Sequence, residues 1–293
     1  MRELQYRKVD AFTADGSLGN PAASVYLGDG EALTEEEMFN IAKQHKGFVS
    51  EVVFCTKKRV SDFDLVYYSS ECEVAFCGHG TIACMYSLIK DSPELLELPE
   101  ITIHTRTKGS LVIYNNISGQ DAVYISAPAP VYSDVPVSLE DIADHLGISK
   151  SSVSSENSLA FIDAGNRTLI VPITNLKDEI NVFPNEQRLK DFSLENGIDV
   201  VLIFCMDAKD KKHFAHTRVF AAKYGYLEDP ATGSANSVFG YYLQKNGMWN
   251  GAPIKLEQGG SDRIYNTVGL TYKDNRILFG GKATTRIEGV YYI

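Results

Sequence analysis

The chain repeats itself, and that restricts its fold more than any other feature. Gly19-Asn20-Pro21-Ala22-Ala23-Ser24-Val25-Tyr26-Leu27 is echoed by Gly165-Asn166-Arg167-Thr168-Leu169-Ile170-Val171; in both, a Gly-Asn turn feeds a short strand. Thr34-Glu35-Glu36-Glu37 reads as a capping box that opens a helix through Met38, Ile41 and Ala42. Its counterpart is Asn185-Glu186-Gln187-Arg188, with Leu189 and Phe192 as the apolar side. Glu51-Val52-Val53-Phe54-Cys55 matches Val201-Leu202-Ile203-Phe204-Cys205, an apolar run of core-strand length. Gly80-Thr81 and Gly233-Ser234 each open a helix whose apolar residues recur at i, i+3, i+4 and i+7. These are Ile82, Met85, Tyr86 and Ile89 in the first and Ala235, Val238, Phe239 and Tyr242 in the second. The matches keep their order at nearly constant offset, 146 residues for the first (19 to 165) and 153 for the last (80 to 233). A duplicated unit follows: two strands joined by a turn, a helix, a strand, then a glycine-initiated helix wrapped by strands.

Ser126-Ala127-Pro128-Ala129-Pro130 is the expected crossing point, because two prolines interrupt any ladder. The expected fold class is α+β: two pseudo-symmetric lobes, each a curled, mostly antiparallel sheet or half-barrel around a central helix. Residues 1–127 form the first lobe, joined by a returning C-terminal strand at about 280–293, and residues 128–279 form the second. Asp274-Asn275 reads as a hairpin tip between late strands.

Composition matters here for what it excludes. With 28 basic and 38 acidic side chains the formal net charge is −10, against phosphate-backbone binding, so no nucleic-acid partner is expected. The longest apolar run, Val200 to Met206, is far short of the roughly 18 residues a spanning helix needs. The N-terminus carries no apolar signal segment, so no membrane partner and a cytoplasmic location are expected. The five cysteines are Cys55, Cys72, Cys77, Cys84 and Cys205, without a CxxC pair, and they read as reduced thiols.

Chemistry is concentrated at the two glycine-punctuated helix starts, Cys77-Gly78-His79-Gly80-Thr81 and Asp229-Pro230-Ala231-Thr232-Gly233-Ser234. Helix N-termini present unpaired N–H groups and partial positive charge, which suit carboxylates and phosphates. Lobes facing across a pseudo-twofold axis would point both starts into one cleft. Glu51 heads an apolar strand where its repeat partner is Val201. Burial there is expected to raise its pKa toward neutrality and suit acid/base work; otherwise it is the exposed first residue of the strand. His79 is either a proton carrier or a capping histidine, and Asp229 either caps its helix or orients His79 or substrate. His213 and His216 lack the context of a metal site, and no Walker A or GxGxxG loop occurs, so neither a metal nor a cofactor is expected.

Taken together, Val9-Asp10-Ala11-Phe12-Thr13, Gly19-Asn20-Pro21-Ala22-Ala23, Ser50-Glu51, Cys77-Gly78-His79-Gly80-Thr81, Arg218-Val219-Phe220 and Glu228 to Ala235 resemble the phenazine-biosynthesis PhzF-like isomerases, within the diaminopimelate-epimerase-like fold. The resemblance spans nearly the whole chain. It implies a cofactor-free, usually homodimeric enzyme with catalytic Glu51, His79 and Asp229. It also implies a substrate site drawing on Asn20, Gly78, Gly80, Thr81, Gly233 and Ser234. Epimerases of the wider fold use one cysteine per lobe; Cys77 fills the first position, but Pro230 stands at the second. Two departures concern the substrate more than the fold: Val52 stands where the family often has Thr, and Gly80 where Ala is usual.

The function expected is a cofactor-independent isomerase that moves a proton on a small carboxylated substrate with a single glutamate. Two alternatives are an epimerase with Glu51 and Cys77 as unlike bases, and a non-catalytic protein binding a small molecule or a partner.

Overall fold

The computed structural model describes residues 2–28, 30–260 and 264–293. The chain divides into two compact units, Met1–Ser126 with Gly280–Ile293, and Ala127–Phe279.

In the first unit the elements are β1 (Glu3–Ala11), β2 (Asn20–Leu27), α1 (Glu35–Gln44), β3 (Glu51–Arg59), β4 (Asp62–Ser69), β5 (Glu73–Val74), α2 (Gly78–Lys90), α3 (Pro93–Leu96), β6 (Glu100–Thr105), β7 (Gly109–Asn116), α4 (Ile117–Gln120) and β8 (Ala122–Ser126). The C-terminal strand Ala283–Tyr292 pairs antiparallel with β1, which pairs antiparallel with β2. The ladder continues through β3, β4, β6, β7 and β8, antiparallel except where helices cross over, at β2–β3 and β4–β6. Parallel neighbours need such crossovers, and α1 and α2 supply them. Thr34 caps α1 with the capping box its sequence predicts, and Met38, Ile41 and Ala42 pack on Ala23, Val25 and Val52 of the sheet. The central helix is α2, buried from Gly80 through Ser87 and at Ile89.

The second unit repeats this plan. Its elements are β9 (Val131–Ser133), α5 (Leu139–Leu146), β10 (Ala160–Asp163), β11 (Arg167–Pro172), α6 (Leu176–Ile180), α7 (Glu186–Glu195), β12 (Val200–Cys205), β13 (Ala215–Phe220), β14 (Glu228–Asp229), α8 (Gly233–Lys245), β15 (Ile254–Gln258), β16 (Asn266–Lys273) and β17 (Arg276–Gly281). β9, β10 and β11 are antiparallel, β11–β12 parallel, β12–β13 antiparallel, β13–β15 parallel and β15–β16 antiparallel. The parallel steps fall where they do in the first unit, and α8 has the 13 residues of α2. The fold is α+β, and the duplication legible in the sequence is a duplication of topology. Asp274 and Asn275 have φ of 51° and 59°, the two positive values of a type I′ turn between β16 and β17. Among the described residues no helix is long and apolar enough to cross a membrane.

Candidate active site

Three residues separated by up to 28 positions meet at the start of α2. Glu51 is the first residue of β3, set between Ala22 of β2 and Ser69 of β4, and its side chain is only 20 % exposed. Cys77 is the N-cap of α2: its Sγ accepts the Gly80 N–H at 3.3 Å. His79, in the first turn, lies between them, with Nε2 3.2 Å from Glu51 Oε2 and Nδ1 3.5 Å from Cys77 Sγ. Glu51 Oε2 is buried without a hydrogen-bond partner, so its approach to His79 is that of an ion pair rather than a straight hydrogen bond.

The electrostatics correct one expectation. Burial pushes the Glu51 carboxyl up, as expected for an apolar strand head, but the charge of His79 and the proximity of His79 and Cys77 outweigh it. Glu51 is therefore held below the usual carboxylate value rather than raised toward neutrality. Burial pushes His79 down, yet Cys77 and Glu51 together hold it well above its ordinary 6.5. The Cys77 thiol is pushed up by burial and by Glu51. Glu51 and Cys77 thus both favour the charged form of His79, while burial and Glu51 favour the thiol form of Cys77, so the three groups titrate together.

The other expected residues of this unit have firm local duties. Asn20 is buried at the first position of β2, opposite Ala11. Gly19 just before it has φ +71°, and a Cβ there would come within 2.7 Å of Ala11 O, so the Gly-Asn turn requires glycine. Thr81 is fully buried; its hydroxyl donates to Cys77 O at 2.7 Å and lies 2.7 Å from the Tyr67 hydroxyl. Gly80 has committed its N–H to Cys77 Sγ. Gly78 and His79 are the α2 residues whose N–H groups find no partner among the described residues.

Asp229, Gly233 and Ser234 cluster in the second unit, at the start of α8. The Thr232 hydroxyl donates to Asp229 Oδ2, and Asn166 Nδ2 donates to Ser234 Oγ at 2.9 Å. No side chain caps α8, which leaves its first N–H groups to another acceptor. Sequence reading missed the residue that organises this turn. Gln258, fully buried in β15, accepts the Thr232 N–H at 2.8 Å and Asn236 Nδ2 at 2.7 Å, and donates to Asp229 O at 2.8 Å. Nothing local marks it, since Gln258 lies 29 residues beyond Asp229.

Carboxylates lie beside His213 and His216. Glu179 Oε1 is 3.2 Å from His216 Nδ1 and Glu257 Oε1 is 3.6 Å from His213 Nδ1. They do not converge: among the described residues the cluster able to share one metal ion is Glu51, Cys77 and His79, whose ligand atoms lie within 4.8 Å of one another.

Comparison with known proteins agrees with this architecture. The description of the PhzC-PhzF family, "Phenazine biosynthesis-like protein", matches residues 9–289. The uncharacterized isomerase YfhB of Bacillus subtilis is 29 % identical over 262 residues, covering 88 % of this chain and 87 % of that protein. Antisense-enhancing sequence 1 of Schizosaccharomyces pombe is 27 % identical with both chains fully covered. A crystal structure of a PhzF-family phenazine biosynthesis protein from Bacillus anthracis superposes with a TM-score of 0.86 at 29 % identity, again over the whole of both chains. The chain belongs to the phenazine biosynthesis-like (PhzC-PhzF) family and is an enzyme of its isomerase class.

Proposed function

We propose that the protein is a cofactor-independent isomerase that takes a proton from carbon on a small carboxylated substrate and returns it elsewhere on the same molecule, with Glu51 as the single base. The observation that carries this reading is the buried Glu51 Oε2, which has no hydrogen-bond partner and sits 3.2 Å from His79. Held ionised by His79, Glu51 is wholly in its base form at neutral pH. Its conjugate acid is correspondingly strong and gives the proton back readily, as a shuttle requires. His79 stabilises the carboxylate between the two transfers. The unpaired N–H groups of Gly78 and His79 at the α2 start are assigned to the substrate carboxylate. Asp229, Gly233 and Ser234 are the second group in this reading, assigned to positioning the substrate. The same reading takes the enzyme to be cytoplasmic and homodimeric.

One base fits the geometry better than two. Bases on opposite faces of one carbon, each in reach at about 3–3.5 Å, stand about 6–7 Å apart. The Glu51 and Cys77 ligand atoms are within 4.8 Å of each other, and the thiol is held protonated. Both points weigh against unlike-base epimerisation. The test is Glu51→Gln, which keeps the side-chain shape. Turnover is expected to fall by about 10²–10⁴-fold with the circular dichroism spectrum unchanged. A variant with full activity would remove Glu51 from this role.

A further inference from the structure

We propose that Glu51, Cys77 and His79 form a zinc site whose occupation by Zn²⁺ shuts the enzyme off. The set combines a thiol sulfur, an imidazole nitrogen and a carboxylate oxygen, the three donor types zinc accepts, and three protein ligands leave one position of a tetrahedral ion for an exchangeable ligand. Metal–ligand lengths of about 2.0–2.3 Å in a tetrahedron separate sulfur from nitrogen by about 3.6 Å and nitrogen from oxygen by about 3.4 Å. Here His79 Nε2 is 3.9 Å from Cys77 Sγ and 3.2 Å from Glu51 Oε2. The Cys77 and Glu51 ligand atoms lie within 4.8 Å of each other, and Cys77 Sγ is 3.5 Å from His79 Nδ1, so the His79 ring and the two flanking side chains must turn toward a shared ion. Glu51 Oε2 is buried and faces His79 Nε2 at 3.2 Å without a well-aligned hydrogen bond, which leaves it able to take a cation.

Charge fits as well. A thiolate, a carboxylate and a neutral imidazole neutralise a divalent cation, and the Gly80 N–H already donates to Cys77 Sγ in a way that favours the thiolate. Zinc therefore competes with protons for Cys77 and His79. The inhibitory half of the proposal rests on the reading of Glu51 as the base: a carboxylate bound to Zn²⁺ cannot take a proton from carbon. The site itself does not depend on that reading. The cation acts as an off-switch and has no part in the isomerisation.

The experiment uses the whole chain, stripped with chelator and titrated with Zn²⁺ by calorimetry, with Co²⁺ as a spectroscopic substitute. One ion per chain is expected, and the Co²⁺ form should show thiolate-to-cobalt charge transfer. Cys77→Ser retains an oxygen to cap α2. It is expected to weaken Zn²⁺ at least about tenfold and abolish the charge-transfer band. Glu51→Gln should also weaken binding. No stoichiometric binding, or binding unchanged in both variants, overturns the site. Zinc bound through these ligands without loss of turnover would uphold the site and overturn the inhibition, counting against Glu51 as base. Absence of zinc binding alongside an inactive Glu51→Gln would overturn the site and leave the base assignment standing.

Discussion

Glu179 and His216 offer a stability test whose two arms have opposite sign. Both side chains are fully buried, with His216 Nδ1 3.2 Å from Glu179 Oε1 and the ring edge-on to Tyr265 at 4.7 Å. Burial pushes His216 down to about 4, opposed by Glu257 and helped by Arg218. Burial pushes Glu179 well above its usual 4.5, opposed by Arg218 and helped by Glu228 and Glu257. In the fold the pair therefore keeps a proton on Glu179 above the usual carboxylate range, while His216 is neutral. The unfolded pair holds two protons below about pH 4.5, one between about 4.5 and 6.5, and none above. In the wild type the pair's contribution is flat between those values and falls on either side. Glu179→Gln leaves His216 alone. The unfolded imidazole then binds a proton from 6.5 downward and the folded ring only near 4, so stability is full above 6.5 and drops as pH falls. A shift of about 2.5 units at 1.36 kcal/mol each makes that drop about 3 kcal/mol. His216→Gln leaves Glu179 alone, folded with its proton where the unfolded chain has lost it. Stability is then full below 4.5 and declines as pH rises. Urea midpoints for the three proteins at about pH 4.5, 5.5, 6.5 and 7.5 supply the comparison, because all other titrations cancel in the differences. Variants with the wild-type pH profile, or slopes of the same sign, would refute the buried one-proton pair.

Three further substitutions bear on the two helix starts. Gly80→Ala should cost about 1 kcal/mol net in urea unfolding. The new Cβ meets Val53 Cγ2 at 2.9 Å and Cys77 Sγ at 3.0 Å, which outweighs about 1 kcal/mol of helix propensity; a more stable variant would contradict this. Gln258→Leu removes the acceptor of the Thr232 N–H and of Asn236 Nδ2 and is expected to lose about 2–3 kcal/mol; an unchanged urea midpoint would show that this turn holds without it. Ile82→Ala, at a fully buried position of α2, should lower stability by about 2–5 kcal/mol in the same assay, and a loss under 1 kcal/mol would mean α2 is not the core element described.

How much of this was written in the sequence depends on how local the cause is. The α1 capping box at Thr34, the type I′ turn at Asp274-Asn275 and the stripe of Ile82, Met85, Tyr86 and Ile89 depend on neighbouring residues, and each stands where the spacing puts it. The duplicated topology was legible because both copies kept their order. Leu139–Leu146 escaped notice despite its Ser138–Asp141 capping box and Gly147 at the end, since it lies outside the four matched segments of the repeat. The electrostatics were out of reach. The downward pull on Glu51 needs His79, 28 residues on, and the Glu179–His216 pair joins α6 to β13 across 37 positions. Gln258 belongs with these: a side chain whose importance lies wholly in what the fold lays beside it.

The proposed function turns on Glu51 moving a proton on carbon. The direct test is proton NMR of cyclic and amino acids incubated in D₂O with the wild type and with Glu51→Gln. Deuterium entering carbon in one compound with the wild type, and slowed by about 10²–10⁴-fold in Glu51→Gln, is the predicted result. Exchange at an equal rate in the two proteins would contradict it.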